Sequence, residues 1–248
     1  GSGNLMKFNT GVNQWGYYTT DMGGNANITH ASIAQDGTIW IRRNIAGPAN
    51  NLGYIPTGSG FITEANGNLS NISVRNNCQA IGYYAANVQN IYTTNCANAF
   101  SLLTNNAVTT NCAIANDGTI LALNATSVPI ISLGGAAFTP AISDFSFTAS
   151  YVAVGDANKF LAVSNGNLYF KSGNAWVQDV TAPADVVRAS VASDGTIAIV
   201  TSGSDNLYFN TWDAIYCQTP PAPVFIGSSS LNVCAGSSID IVVEGDNG

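Results

Sequence analysis

The sequence predicts an all-β fold, a five-bladed β-propeller, on three observations. An apolar motif that ends in Asp-Gly-Thr recurs at multiples of about 40 residues. Only 8% of the 248 residues are charged, against about 25% in an ordinary soluble domain. Glu occurs only at positions 64 and 244 and Lys only at 7, 159 and 171, although these residues usually cover exposed helix faces. A 40-residue period without helix-covering residues is typical of blades of three or four antiparallel strands.

The strongest copies of the motif cover residues 31–41, 112–122 and 189–199, with Asp-Gly pairs that begin at 36, 117 and 194. These pairs lie 81 and 77 residues apart, which is about twice one unit. Weaker copies cover residues 72–81 and 152–163. The anchors 36, 76, 117, 156 and 194 are then spaced by 40, 41, 39 and 38 residues, which predicts five equivalent units.

Each unit reads as a series of short strands. The Asp-Gly pair predicts a two-residue type I′ hairpin, because both residues tolerate positive φ. A third strand is indicated by Asn-Leu-Tyr-Phe at 167–170 and 206–209, and by looser copies at 90–93 and 51–54. Trp176 and Trp212 follow two of these runs in register, so we expect them, like Trp15, to pack within blades.

The blade count and the closure of the ring are also expected from the pattern. Residues 5–8 and 15–18 resemble an outer strand and its Trp. We expect them to pair with the last blade, which would remove an exposed sheet edge. Five blades over residues 5–217 is the prediction. Six remains the alternative count, because six outer-strand signals accompany five hairpins.

A parallel β-helix is the rival fold. Asn-rich runs that end in Cys78, Cys96 and Cys112 recur at 16 to 19 residues, and stacked Asn at such a period is typical of β-helix coils. This pattern covers only residues 71–112, whereas the 40-residue period covers most of the chain. The propeller is therefore favoured.

The Asp-Gly-Thr core followed by Asn-Leu-Tyr and Trp resembles tectonin-like and tachylectin-like propeller repeats. This resemblance covers most of residues 5–217. It implies a propeller of a kind that is often sugar-binding.

The C-terminal part, residues 218–248, differs in composition from the repeats. Residues 218–223 form a Pro-rich linker, which favours an extended conformation. Residues 224–248 contain Val-Cys-Ala-Gly-Ser at 233–237 and resemble the opening of the Ig-like repeats of surface adhesins of gliding bacteria. A complete Ig-like sandwich needs about 100 residues. We expect 224–248 to be a truncated Ig-like segment of a longer protein, or a strand donated to a neighbouring subunit.

The five cysteines are an odd number, so at least one lacks a partner within the chain. Cys78 and Cys96 flank a predicted hairpin and are the best candidate disulfide. Cys217 with Cys234 is a second option. The chain has no CxxC spacing, and His30 is its only histidine, so we expect no metal site and no cofactor.

Composition and site residues argue against several functions. The formal charge of −7 and pI near 4.3 exclude nucleic acid, which is bound through clustered Lys and Arg. The sequence contains no uninterrupted apolar stretch of about 18 residues, so we expect no insertion into a membrane. Asp36, Asp117 and Asp194 are explained by turns, and a single histidine supports no Ser-His-acid site. We therefore expect no enzymatic activity, with a glycan hydrolase as the minor alternative.

Two groups of residues are candidates for ligand binding. Six residues before each anchor lie His30, Ser70, Asn111, Ser150 and Arg188. Equivalent positions at the start of inner strands would converge at one mouth of the central channel, as a binding ring or as a water-filled rim. The second group is Trp40 with Arg42 and Arg43, because Trp40 replaces the smaller Leu121 and Ala198 and its ring would suit a sugar.

The sequence thus predicts a non-enzymatic, extracellular, carbohydrate-binding recognition module within a larger secreted or cell-surface adhesin. Its expected partner is a glycan or another cell-surface ligand. The alternative is a structural subunit of an extracellular filament that self-associates through residues 219–248.

Overall fold

The computed structural model describes residues 6–9, 14–17, 28–43, 52–56, 62–64, 69–76, 78–83, 90–94, 100–103, 109–202 and 207–213. The predicted linker at 218–223 and the Ig-like segment at 224–248 lie outside these ranges, as do Cys96, Cys217 and Cys234. Within the described ranges, no helix is long and apolar enough to cross a membrane.

The described strands form five antiparallel sheets, here blades 1 to 5, and a separate two-stranded sheet of β1 (Met6–Asn9) and β2 (Gln14–Tyr17). Blade 1 has β3 (Ile28–Ile33), β4 (Ile39–Arg43), β5 (Leu52–Ile55) and β6 (Ile62–Glu64). Blade 2 has β7 (Asn71–Asn76), β8 (Gln79–Tyr83), β9 (Ile91–Thr94) and β10 (Phe100–Leu102). Blade 3 has β11 (Asn111–Ile114), β12 (Ile120–Leu123), β13 (Pro129–Ser132) and β14 (Thr139–Pro140).

Blades 4 and 5 follow the same order. Blade 4 has β15 (Tyr151–Asp156), β16 (Lys159–Ser164), β17 (Asn167–Ser172) and β18 (Ala175–Gln178). Blade 5 has β19 (Val186–Val191), β20 (Thr196–Thr201) and β21 (Leu207–Thr211). The inner strands β3, β7, β11, β15 and β19 contact one another in that order, and Arg188 of β19 reaches His30 of β3, which closes the ring.

This arrangement confirms the all-β, five-bladed propeller. The alternative of six blades and the parallel β-helix are both wrong, because every described strand from β3 to β21 pairs antiparallel with its sequence neighbour inside one of five blades. The expected pairing of the N-terminal segment with the last blade does not occur among the described strands: β1 and β2 pair with each other, with Met6 opposite Tyr17.

The repeat anchors are turn residues. At each of the five positions a side-chain Oδ1 accepts the backbone N–H two residues later, at 2.8 or 2.9 Å; the donors are Thr38, Cys78, Thr119, Asn158 and Thr196. Asp and Asn form such bonds readily in turns. The Asp residues of the motif are therefore structural.

The expected type I′ geometry is wrong in the three Asp-Gly turns. Gly37 N donates to Ala34 O at 2.9 Å, and Gly37 has φ of 83° while Asp36 does not have positive φ. The turns at 118 and 195 repeat this pattern. A type I turn followed by a left-handed glycine makes a three-residue hairpin loop. The loop consists of the residue before Asp, the Asp and the Gly.

Buried layers between consecutive blades hold the ring together. Blades 1 and 2 share one layer of buried residues, and blades 2 and 3, 3 and 4, and 4 and 5 share three more. Hydrogen bonds cross the same boundaries: Ser32 Oγ accepts from Val74 N at 3.1 Å, and Ser73 Oγ accepts from Ile114 N at 2.9 Å. These bonds join residues 42 and 41 apart, so the repeat length matches one step around the ring.

We expect Ser73→Ala to lower the free energy of unfolding by about 1 kcal/mol, because the Ile114 N–H loses its acceptor. Urea unfolding followed by circular dichroism measures the change. The control is Ser101→Ala on the exposed strand β10, which we expect to stay within about 0.5 kcal/mol of the parent chain. Equal effects of the two substitutions would contradict a role for the bond between blades.

Candidate functional site

A channel of about 560 Å³ runs along the five inner strands. Small side chains from all five strands line it, namely Ala31, Ser73, Ala113, Ala153 and Ser190. At one end it meets a second cavity of about 420 Å³, formed where the inner strands begin. We call this end the Arg188 mouth; its polar lining includes His30, Ser70, Asn71, Asn111, Ser150, Tyr151 and Arg188.

The structure brings together all five residues of the predicted ring, but the equivalence is shifted in two blades. Cross-strand pairing makes His30, Asn71, Asn111, Tyr151 and Arg188 the equivalent positions. Ser70 and Ser150 each lie one residue earlier. The shift arises because the anchor lies one residue closer to the inner strand in blades 2 and 4, where Asn76 pairs with Gln79 and Asp156 pairs with Lys159. Counting back from the anchor therefore misses by one residue.

Arg188 lies at the centre of a cluster of side chains at this mouth. Its Nη1 is 3.4 Å from His30 Nε2, across the closure between blades 5 and 1. Its Cζ lies 5.4 Å from the centroid of the Tyr151 ring, within the range of a cation–π contact. Asn111 stands on the next blade, where its Oδ1 accepts from Val152 N at 3.3 Å. The guanidinium is thus oriented by neighbours on both sides.

Arg188 places a positive charge at this mouth although the chain is acidic overall. No Asp or Glu of the described residues lines the cavity, and the ion pair between Lys159 and Asp156 lies elsewhere in the fold. Arg42 pairs with His30 across β3 and β4. Burial lowers the pKa of His30 to about 4, and the charges of Arg188 and Arg42 add to that effect. His30 is therefore neutral at pH 7, so its Nε2 can accept from Arg188.

The lowered pKa of His30 predicts a pH dependence of stability. As pH falls from 6.5 towards 4, the unfolded chain takes up a proton at His30 that the folded chain does not, so stability is present above this window and lost within it. Over this window we expect the free energy of unfolding to fall more in the parent chain than in His30→Gln. The difference between the two chains should stay below about 1.4 kcal/mol per pH unit, because the site is partly solvated. Denaturant unfolding at pH 4 to 7 measures this difference. Parallel curves for the two chains would contradict it.

The second predicted group does not form a ligand platform. Trp40 is 1% exposed and stacks on Tyr54 with ring centroids 4.8 Å apart, inside the layer between blades 1 and 2. Arg43 is 8% exposed. Arg42 is half-buried and donates from Nη1 to Thr29 Oγ1 at 3.1 Å. The expectation that Trp40 presents a face to sugar is wrong, because the neighbouring blade covers the ring.

The other predicted tryptophans lie in blades. Trp176 stacks on Phe147 with centroids 5.3 Å apart, and Trp212 is buried beside Phe170. The side chain of Trp15 lies outside the described part of the structure.

Sequence reasoning missed Asn71, Tyr83 and Tyr151 at the mouth. Tyr83 lies opposite Asn71 on β8, and Tyr151 begins β15. Burial raises the pKa of Tyr151, while the charge and hydrogen bond of Arg188 oppose this effect. Aligning the units on strand residues, rather than on the turn anchors, would have found Asn71 and Tyr151.

The cysteines are described in part. Cys78 is disulfide-bonded, and the pairing with Cys96 stays a prediction because Cys96 lies outside the described residues. Cys112 is a free, buried thiol, and burial raises its pKa to about 12. A thiol of this kind is inert as a nucleophile. Within the described ranges, no three His, Cys, Asp or Glu side chains cluster in a way that could hold a metal.

Comparison with known proteins shows the fold. No family model and no curated protein matches the sequence. Similar solved structures include YCF48 bound to D1 peptide, at 15% identity and TM-score 0.50, with 84% of this chain and 75% of that chain covered. YCF48 from Cyanidioschyzon merolae has 12% identity and TM-score 0.53 with the same coverage. A structure described as a putative gluconolactonase has 10% identity and TM-score 0.59, with 84% and 81% covered.

The chain is a five-bladed β-propeller. At 10 to 15% identity these structures share its architecture, and what they bind or catalyse does not transfer with it. The resemblance to tectonin-like repeats finds no counterpart among them and stays a prediction.

Proposed function

We propose that this propeller is a non-enzymatic recognition module that binds a glycan at the Arg188 mouth. One observation carries the proposal: equivalent positions of all five inner strands place polar or aromatic side chains around a single cavity. The cavity volume of about 420 Å³ is in the range of small-ligand sites. It gives room for one or two sugar rings.

The lining suits a sugar. Asn71 and Asn111 offer amide groups, Ser70 and Ser150 offer hydroxyls, and the ring of Tyr83 offers flat apolar surface. Asn71 and Asn111 are 5% and 7% exposed, so packing holds both side chains in place before a ligand arrives. Such preorganisation reduces the entropy that binding costs.

An extracellular location forms part of the proposal. The disulfide of Cys78 supports it, because disulfides persist in oxidising compartments. The adhesin context and self-association through residues 219–248 rest on a segment outside the described residues. Sedimentation of the full chain and of a chain ending at 217 tests self-association.

Binding of the labelled full chain to an array of neutral and acidic glycans tests the proposal. Ser150 is exposed on the wall of the Arg188 mouth, so Ser150→Trp should fill the cavity and weaken binding at least tenfold. The matched control is Ser193→Trp, because Ser193 is also exposed but lies at the opposite end of the channel. This control should bind as the parent chain does.

Retained binding by Ser150→Trp would overturn the Arg188 mouth as the site. An array without binding would overturn the glycan. Because YCF48 was solved with a D1 peptide, a peptide array is probed in parallel. Binding that is confined to peptides would assign a peptide ligand in place of the glycan.

A further inference from the structure

Resting on the proposed function, we infer that the glycan bound at the Arg188 mouth carries a carboxylate, as a uronic acid does, and that the guanidinium of Arg188 binds this carboxylate. The inference concerns the class of sugar, whereas the proposed function concerns the place of binding. Three features of the mouth support it: no acid of the described residues pairs with Arg188 or lines the cavity, neighbours fix the orientation of the guanidinium, and Arg188 is the one guanidinium of the lining.

Arg188 has no acidic partner among the residues that the structure describes. It is exposed on the cavity wall, and no carboxylate of the described residues forms an ion pair with it. Its contacts are the neutral His30 ring at 3.4 Å and the face of Tyr151. Both are uncharged at pH 7. Although the chain has a net charge of −7, no acid of the described residues compensates the charge of Arg188 at this cavity.

The geometry favours a planar anion. A guanidinium presents five N–H donors in a fixed fork, and one side of this fork faces His30. Tyr151 contacts the guanidinium at 5.4 Å from the ring centroid and so restrains its plane. A carboxylate matches the remaining donors in a two-point contact, which is stronger and more directional than a neutral hydrogen bond.

The surroundings favour a carboxylate on a sugar over more highly charged anions. One guanidinium lines the cavity, and Arg42 lies behind His30 on β4 rather than in the lining. A single lining cation balances one negative charge. Strong binding of a polyanion such as nucleic acid draws on many basic groups. The amides of Asn71 and Asn111 lie in the same lining, where sugar hydroxyls would meet them.

The test compares ligands that differ only in the carboxylate. The full chain is titrated calorimetrically with methyl galacturonoside, which has one ring and one carboxylate, and with its methyl ester, for the parent chain and for Arg188→Gln, Arg188→Lys and Lys171→Gln. Lys171 lies on β17 away from the mouth and donates to Gly173 O, so Lys171→Gln controls for the loss of one positive charge. Circular dichroism confirms that each variant is folded.

We expect the parent chain and Lys171→Gln to bind the acid 10 to 100 times more tightly than the ester, as a hydrogen-bonded charge pair would give. This ratio should fall to about 1 in Arg188→Gln. Arg188→Lys should retain a small part of it, because lysine keeps the charge but not the fork. Raising the salt concentration should weaken binding of the acid more than binding of the ester.

The outcomes separate the two proposals. Equal binding of acid and ester that is lost in Ser150→Trp would overturn the carboxylate and leave the glycan site standing. Acid selectivity that survives in Arg188→Gln would overturn the role of Arg188. Binding of an acidic peptide but of no glycan would overturn both the sugar and the proposed function.

Discussion

Replacing Gly82 with alanine is expected to lower the free energy of unfolding by about 3 kcal/mol or more. Gly82 lies in β8 opposite Ile72. A Cβ at this position would lie 2.2 Å from Asn71 O and 2.7 Å from Leu69 Cδ1. A backbone carbonyl cannot move aside as a side chain can, so β7 would have to shift. Overpacking of this kind costs 1 to 3 kcal/mol or more.

The control for Gly82→Ala is Gly134→Ala. Gly134 has φ of 56° and no atom within 4 Å of an added Cβ, so only the backbone penalty of about 1 kcal/mol applies. Urea unfolding at pH 7 compares the two chains. An effect of Gly82→Ala no larger than that of Gly134→Ala would contradict the close approach of β7 and β8.

Trp40→Ala is expected to lower the free energy of unfolding by about 3 to 5 kcal/mol, as for other buried tryptophans. The ring is 1% exposed and fills the layer between blades 1 and 2. Its removal leaves a large cavity and also removes the stacking with Tyr54. Trp40→Leu, which copies Leu121 of blade 3, should lose less because it keeps part of the buried volume.

Denaturant unfolding of the two Trp40 variants measures the loss of stability. Glycan titration of Trp40→Leu measures whether the ring contributes to binding. We expect Trp40→Leu to bind the glycan as the parent chain does. A variant of unchanged stability that fails to bind would restore Trp40 as a sugar platform and contradict its burial.

The sequence predicts the fold because the repeated residues form the same local hydrogen bonds in every unit. Asp36, Asp117 and Asp194 recur since each side chain closes the same turn by accepting a backbone N–H. The period near 40 recurs since one blade is one step around the ring, as the bond from Ile114 N to Ser73 Oγ shows. Both signals lie within one or two units and can be read along the chain.

The candidate site was predicted only in part, for two physical reasons. His30, Asn111 and Arg188 follow from spacing, but Asn71 and Tyr151 do not, because the turn anchors of blades 2 and 4 lie one residue closer to the inner strand than those of the other blades. The burial of Trp40 comes from blade 2, whose residues follow it in the chain but cover it in space. Contacts between neighbouring blades decide whether a side chain is exposed, and these contacts cannot be predicted from the repeat pattern of a single unit.

Amide chemical-shift mapping of the full chain with methyl galacturonoside locates the bound sugar along the channel. We expect shifts at Asn71, Asn111, Tyr151 and Arg188, which line the Arg188 mouth. We expect none at Gln35, Asn116 and Asp194, which line the opposite end of the same channel. Shifts confined to that opposite end, or to the outer strands, would contradict the placement of the binding site at the Arg188 mouth.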